Sequence, residues 1–310
     1  MSPIPTINIR AYIDPSASIE EKAEVISKLE AACSHYGFLQ ISGHGVPIST
    51  QRAALEASKL LFSLSQEDKD KLSLKSNPAR RGYERIGEQI LDSKSLPDNK
   101  EGYYLGREVP LEHTGFLRGP NQWPDLPEEL FRRPLENYYQ HMDKLGKNLL
   151  EMLAIGLGHD ISVLDTFTRE PVMNLKLLHY PPHISKNDRQ FGAGEHTDFG
   201  AITMLMQQPG KDGLEVYYEP MKGWLSVSAV EDVFVINMGD LIHKWSNGRY
   251  KSTLHRVVNK SGDERYSIPC FYQGDLAATN PFKPGEDGGE TVEQHIRGRF
   301  DESYGIKTRS

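Results

Sequence analysis

The chain has 310 residues with 37% hydrophobic content, enough to bury a sizeable core and too apolar for a disordered tail. Its 43 acidic and 36 basic residues give a formal charge of −7, and no lysine or arginine run exceeds a pair, which argues against nucleic acid as a partner. Two cysteines, Cys33 and Cys270, cannot build a disulfide scaffold, and no stretch approaches the roughly 20 apolar residues of a membrane span, so a soluble, cytoplasmic protein is expected, with a monomer favoured.

In chain order, residues 18–35 place Ala23, Ile26, Leu29 and Ala32 or Cys33 on one side at helical spacing, and Ser18 with Glu21 forms a capping-box pattern. Gly37 ends that helix, and Phe38 to Ser42 reads as a short buried strand closed by Gly43-His44-Gly45-Val46-Pro47. A second helix is expected from Ser49 to about Phe62, and Ser65-Gln66-Glu67-Asp68 opens another. From Asn77 to Asn121, glycine, proline, tyrosine and charge break the pattern into loop and short strand. A long helix follows from about Pro127 to Gly158, carrying Leu130, Leu135, Tyr138, Met142, Leu145, Leu149, Met152 and Ile155.

After Asn174 the rhythm is that of strands: Leu175 to Tyr180, Ala201 to Gln207, Gly213 to Tyr218, Trp224 to Ser228, Val233 to Met238, Ser252 to Val258 and Tyr266 to Tyr272. Turn signals such as Lys222-Gly223, Gly239-Asp240, Asn247-Gly248 and Ser261-Gly262-Asp263 separate them, and a terminal helix is expected near Thr291 to Tyr304. Many short strands at this spacing, with helices around them, predict a mainly β fold with flanking helices, built as a sandwich or jelly-roll barrel.

The chemistry begins at Gly194-Glu195-His196-Thr197-Asp198-Phe199-Gly200. On a strand, residues i and i+2 share a face, so His196 and Asp198 would aim at one cation while Thr197 points away. His255, in Ser252-Thr253-Leu254-His255-Arg256-Val257, offers a third ligand from a distant strand. Two imidazoles and one carboxylate on one face of an octahedral ion leave three positions open, the arrangement of oxygen-activating ferrous enzymes. A strand histidine beside an aspartate is also often a plain hydrogen-bonded pair. Arg265 and Ser267 fall on alternate positions of a further strand, and a guanidinium beside a hydroxyl suits a carboxylate. Taken alone, that pair also fits an ordinary surface strand. His44 between two glycines reads as a turn or packing residue and Asp240 as a turn residue; no GxGxxG, P-loop or GxSxG pattern is present.

The runs HTDFGAIT, NMGDLIHKWSNGRYKSTLHRVV and RYSIPCFY together resemble the isopenicillin-N-synthase-like family of Fe(II)/2-oxoglutarate dioxygenases. Tyr36 to Val46, DNKEGYYLG, GPNQWP and LLHYPP match in the same order, so the resemblance covers nearly the whole chain. It implies a double-stranded β-helix (jelly-roll) core with an N-terminal helical cover: residues 1–120 as helices plus strands completing the core, and 121–310 as the jelly roll with its C-terminal helix, in one compact unit. It implies Fe(II) at His196, Asp198 and His255, the far carboxylate of the co-substrate 2-oxoglutarate at Arg265 and Ser267, and a co-substrate contact from Tyr180. O2 would be the oxidant, with ascorbate as an optional reductant. Relatives often carry a basic residue and asparagine just before that tyrosine; Leu178 offers no polar contact here, and Asn174 and Lys176 are kept as pocket candidates. Tyr103, Tyr104, Phe199, Met204 and Phe271, with the stretch from Arg80 to Ile90, are expected in the substrate wall. The expected activity is oxidation of a small metabolite, by hydroxylation, desaturation or ring formation, in specialised metabolism. The alternatives are a same-fold Fe(II) oxidase that does not use 2-oxoglutarate, or a non-catalytic ligand-binding relative.

Overall fold

Ser18 starts the first long helix as its spacing predicts: its side chain accepts from the Glu21 amide while the Glu21 carboxylate accepts from the Ser18 amide. The computed structural model describes residues 4–88, 96–182, 190–259, 262–283 and 289–303. Gln89 and Ile90 of the expected pocket wall, Ser261 of one expected turn and Tyr304 of the last helix lie outside them. The helices are α1 (Arg10–Ile13), α2 (Ile19–His35), α3 (Ile48–Phe62), α4 (Gln66–Asp70), α5 (Arg132–Gly156), α6 (Asp240–Trp245) and α7 (Val292–Ser303). The strands are β1 (Thr6–Asn8), β2 (Phe38–Ser42), β3 (Gly82–Glu84), β4 (Glu101–Gly106), β5 (Val172–Tyr180), β6 (Ala193–His196), β7 (Ile202–Gln207), β8 (Leu214–Tyr218), β9 (Gly223–Val227), β10 (Phe234–Met238), β11 (His255–Val257) and β12 (Arg265–Gly274).

The strands form an eight-stranded sheet in the order β1-β2-β10-β7-β12-β5-β4-β3 and a four-stranded sheet in the order β6-β11-β8-β9. Nearly all neighbours are antiparallel; β1 runs parallel to β2. The main hydrophobic core lies between the larger sheet and the helices, where α5 buries Leu135, Tyr138, Met142, Leu145, Leu149 and Met152 at helical spacing. Gly146 lets that helix approach closely, since a Cβ there would stand 2.6 Å from the Tyr272 ring and 3.2 Å from Met204 Cε. A second cluster, including Phe38, Leu178, Tyr180, Leu214 and Val257, fills the space between the two sheets.

Three local expectations change. The long helix begins at Arg132 rather than 127, leaving Leu130 exposed, because residues 127–131 form turns closed on Pro127 and Glu128. Gly239-Asp240 opens the six-residue helix α6 instead of a bare turn. The strand expected from Ser252 is confined to His255–Val257, because Ser252 Oγ donates to Asp240 Oδ1 (2.6 Å) and Thr253 Oγ1 to the Tyr36 carbonyl (2.7 Å), drawing the chain out of the ladder.

Candidate metal centre

The edge strand β6 ends at His196, and its neighbour β11 begins at His255; the two residues are register partners, so the imidazoles meet with ring centroids 4.2 Å apart. Asp198 does not share the strand as its spacing suggested. It lies two residues beyond β6 in a loop held by α6, whose Asp240 amide donates to the Asp198 carbonyl at 2.7 Å. That loop brings the Asp198 carboxylate between the rings, with Oδ1 3.8 Å from Nε2 of both His196 and His255. One ligand atom from each of the three residues lies within 4.8 Å of the others.

The donor set fits a metal ion atom by atom. His196 Nδ1 lies 2.7 Å from the Gly194 carbonyl and His255 Nδ1 lies 3.0 Å from the Thr253 carbonyl, each two residues back. A proton on Nδ1 of each ring satisfies those contacts and leaves both Nε2 lone pairs aimed at Asp198. Asp198 Oδ2 accepts from Thr203 Oγ1 (2.5 Å) and Asn237 Nδ2 (2.7 Å), which leaves Oδ1 for the cation. Burial, then the neighbouring His255, push the His196 imidazole down to about 3, so it stays neutral across the physiological range. Burial alone would raise the Asp198 carboxyl; the two histidines, Asn237 and Thr203 outweigh it and hold the group below its ordinary range.

The three residues open into a cavity of about 190 Å³ between the sheets. Arg265, Ser267 and Tyr180 line it. Arg265 is fully buried: Nε donates to the Lys211 carbonyl (3.2 Å), Nη2 donates to Gln207 Oε1 (2.9 Å), and Nη1 makes no hydrogen bond among the described residues. Burial lowers its guanidinium from the usual range. A buried cationic N–H group without an acceptor fits a carboxylate ligand, the chemistry that 2-oxoglutarate would bring. Tyr180 stands at its flank, with the ring centroid 4.8 Å from Arg265 Cζ.

Of the expected wall residues, Tyr104, Asn174, Lys176, Phe199 and Phe271 line the cavity. Tyr103 and Met204 do not. Strand alternation turns them to the opposite face, where Tyr103 packs on Phe131 and donates to the Gln122 carbonyl, and Met204 packs under α5. Thr197, expected to point away, lines the cavity and hydrogen-bonds Asp240 Oδ2 (3.2 Å). His44 is buried against Phe234, with Nδ1 accepting from the Val46 amide, in the packing role its glycine neighbours suggested. Sequence reasoning missed Thr203 and Asn237; the signal was a lone polar residue inside each of two apolar runs, ITMLM and FVINM. It also missed Lys100 and Gln273 in the lining, whereas Arg80 and Glu84 come from the expected stretch 80–90. Across the mouth, α7 places Ile296 in the wall, and His295 Nε2 lies 3.0 Å from the Phe199 carbonyl.

Two family models match the chain: "non-haem dioxygenase in morphine synthesis N-terminal" over residues 4–126, and "2OG-Fe(II) oxygenase superfamily" over residues 171–274. The chain is similar to a 2-oxoglutarate-dependent dioxygenase of Aspergillus niger, 48% identical over 98% of this chain and 94% of the relative. A 2-oxoglutarate-dependent dioxygenase of Penicillium crustosum is 47% identical, over 98% and 94%. Among solved structures, a full-length Neurospora crassa protein crystallised in complex with alpha-KG superposes with a TM-score of 0.84 at 28% identity, covering 97% of this chain and 96% of that one. The same protein has also been solved with alpha-KG and thymine.

Proposed function

Because this chain belongs to the 2OG-Fe(II) oxygenase superfamily and is a 2-oxoglutarate-dependent dioxygenase, we propose that His196, Asp198 and His255 hold its ferrous ion, that Arg265 and Ser267 grip the far carboxylate of 2-oxoglutarate beside Tyr180, and that it oxidises a compact metabolite of specialised metabolism. The observation that carries this reading is the convergence of two Nε2 atoms and one carboxylate oxygen within 4.8 Å, in the same cavity as a buried arginine whose Nη1 lacks an acceptor. The names of the relatives favour 2-oxoglutarate use over an oxidase that dispenses with it. The small-molecule ligand of the thymine-bound relative supports a small-molecule substrate.

When bound, the ferrous ion supplies the activation of dioxygen needed to attack a C–H bond, coupled to oxidative decarboxylation of 2-oxoglutarate to succinate and carbon dioxide. The chain's own residues supply position and dryness. Gly194 and Thr253 fix the imidazole tautomers through their carbonyls, and Thr203 and Asn237 fix which carboxylate oxygen Asp198 presents. Arg265 anchors the co-substrate at the end remote from the metal, so its reacting end has one orientation. Phe38, Leu178, Leu205, Leu214 and Val257 wall the chamber and exclude water from it. Tyr104, Asn174, Lys176, Phe199 and Phe271 form the side that faces the organic substrate.

Anaerobic addition of Fe(II) and 2-oxoglutarate should produce a visible charge-transfer band, and a metabolite screen with ascorbate present should find compounds that stimulate succinate release. Absence of the band in folded protein, or turnover that consumes no 2-oxoglutarate, overturns the reading.

A further inference from the structure

A row of side chains crosses the cavity face of the larger sheet beside Asp198. Register pairs Asn237 of β10 with Thr203 of β7, Thr203 with Phe271 of β12, and Phe271 with Asn174 of β5, and all four line the cavity. Thr203 and Asn237, at one end, hold the Asp198 carboxylate. Asn174, at the other end, stands two strands from Thr203, about 10 Å across the sheet. Gln273 lies two residues beyond Phe271 on β12 and lines the cavity as well. Arg265 is six residues back from Phe271 on the same strand, roughly 20 Å along the backbone, so this part of the wall is clear of the arginine proposed for the co-substrate.

The two carboxamides are set in opposite senses. Asn174 Oδ1 accepts from Arg81 Nη1 at 2.9 Å, and Arg81 is buried, with Nη2 donating to the Leu117 carbonyl at 2.7 Å. Gly106, the register partner of Asn174 on β4, makes room for this contact, since a Cβ there would run into the guanidinium. A guanidinium carries donors only, so an Asn174 amide turned the other way would set N–H against N–H. Oδ1 is therefore fixed on Arg81, and Nδ2 is left to donate into the cavity. Gln273 is buried, and its Oε1 has no hydrogen-bond partner among the described residues. That oxygen lies against Gly200, two residues past Asp198, where a Cβ would collide with it. A buried acceptor without a donor costs stability, and a bound molecule that brings the donor recovers it. Phe271 links the two carboxamides, in register with one and two residues from the other, and Phe199 lines the same cavity.

We infer that the organic substrate is a neutral oxygenated molecule carrying both a carbonyl-type oxygen, which accepts from Asn174 Nδ2, and a hydroxyl or N–H, which donates to Gln273 Oε1, with its carbon skeleton against Phe271. The inference rests on the dioxygenase site proposed above and adds to it the substrate's polar groups and the two residues that recognise them. Lys100 and Lys176 of the same wall are paired with Asp98 and Glu84, so they do not call for an anion. A hydrocarbon would leave both carboxamides unpaired, and a site built around hydrogen bonds rejects an analogue that lacks them far more strongly than one that differs by a methylene. The same pair orients the molecule as well as selecting it, because two fixed contacts set which carbon faces Asp198.

The test is calorimetric and needs no turnover. Protein loaded anaerobically with Fe(II) and 2-oxoglutarate is titrated with a panel of hydroxylated aryl ketones, hydroxylactones and lactams. Each is accompanied by its O- or N-methylated analogue, which lacks the donor, and by its analogue without the carbonyl, which lacks the acceptor. Wild type should bind at least one parent compound tenfold or more tightly than either analogue. Asn174→Asp keeps an acceptor for Arg81 and removes only the donor, so it should erase the preference for the carbonyl and keep the preference for the free hydroxyl or N–H. Gln273→Leu should do the reverse. The charge-transfer band should form in both variants. A panel in which no parent outbinds both analogues, or a carbonyl preference that survives Asn174→Asp and so assigns Asn174 only to holding Arg81, overturns the inference. A wild type that shows no charge-transfer band would instead sink the dioxygenase assignment, which separates the two failures.

Discussion

His196 and His255, on the smaller sheet, are fixed by carbonyls only two residues away along their own chain, whereas Arg265, on the larger sheet, is fixed by partners 54 and 58 residues away. The metal end is oriented by short-range hydrogen bonds that form as soon as the strand does. Arg265 of β12 and Lys176 of β5 are buried charges in the cavity wall whose surroundings form only when the larger sheet is complete. In the function proposed above, the first arrangement would set a coordination geometry and the second would hold the co-substrate. Asp198 belongs to both: it sits two residues from His196, yet its orientation depends on Thr203 and Asn237 of the larger sheet.

The contrast can be broken by experiment, starting where the effect is greatest. Asp198→Ala removes the shared ligand and strands two buried donors; bound iron, measured by metal analysis after desalting, should fall from equimolar to near zero, with turnover down by more than about a hundredfold. Arg265→Ala should leave iron binding intact and weaken 2-oxoglutarate by on the order of 2 to 5 kcal/mol, read as the concentration that half-saturates the charge-transfer band. Loss of iron binding in that variant would mean that the two ends are not separable. Asn237→Ala, which frees Asp198 to rotate, should lower iron affinity by about tenfold to a hundredfold in a competition assay with a chelator. The smallest change is expected from Ser18→Ala, remote from both ends: about 1 kcal/mol of stability by chemical denaturation, with unchanged iron content.

How far the sequence could be read follows the same division. The capping box at Ser18, the apolar stripe of α5 and most strands of the larger sheet were legible because each is a local pattern of period 3.6 or 2. That His196, Asp198 and His255 come together was legible, though the reasoning from a shared strand face was incomplete: β6 stops at His196, and a loop tied down by α6 aims the aspartate. Tyr103 and Met204 were misplaced for want of the strand register, which sends adjacent residues to opposite faces. The charged side of the cavity wall was legible in part: Lys176 and the stretch holding Glu84 were expected there, and Lys100 was not. Glu84 and Lys100 belong to a stretch whose composition reads as loop, and nothing local shows that β3 and β4 will pair on to β5 beside Lys176.

The strand order of the larger sheet bears on how this protein can be cut. β1 and β2 close one border of that sheet and β3 and β4 close the other, so the first 106 residues supply both margins. A gene fragment starting at residue 121 would retain His196, Asp198, His255 and Arg265, yet it would expose the unpaired backbone of β10 on one side and β5 on the other. Such raw borders are templates for further strands. The shortened polypeptide should therefore aggregate rather than behave as a minimal enzyme.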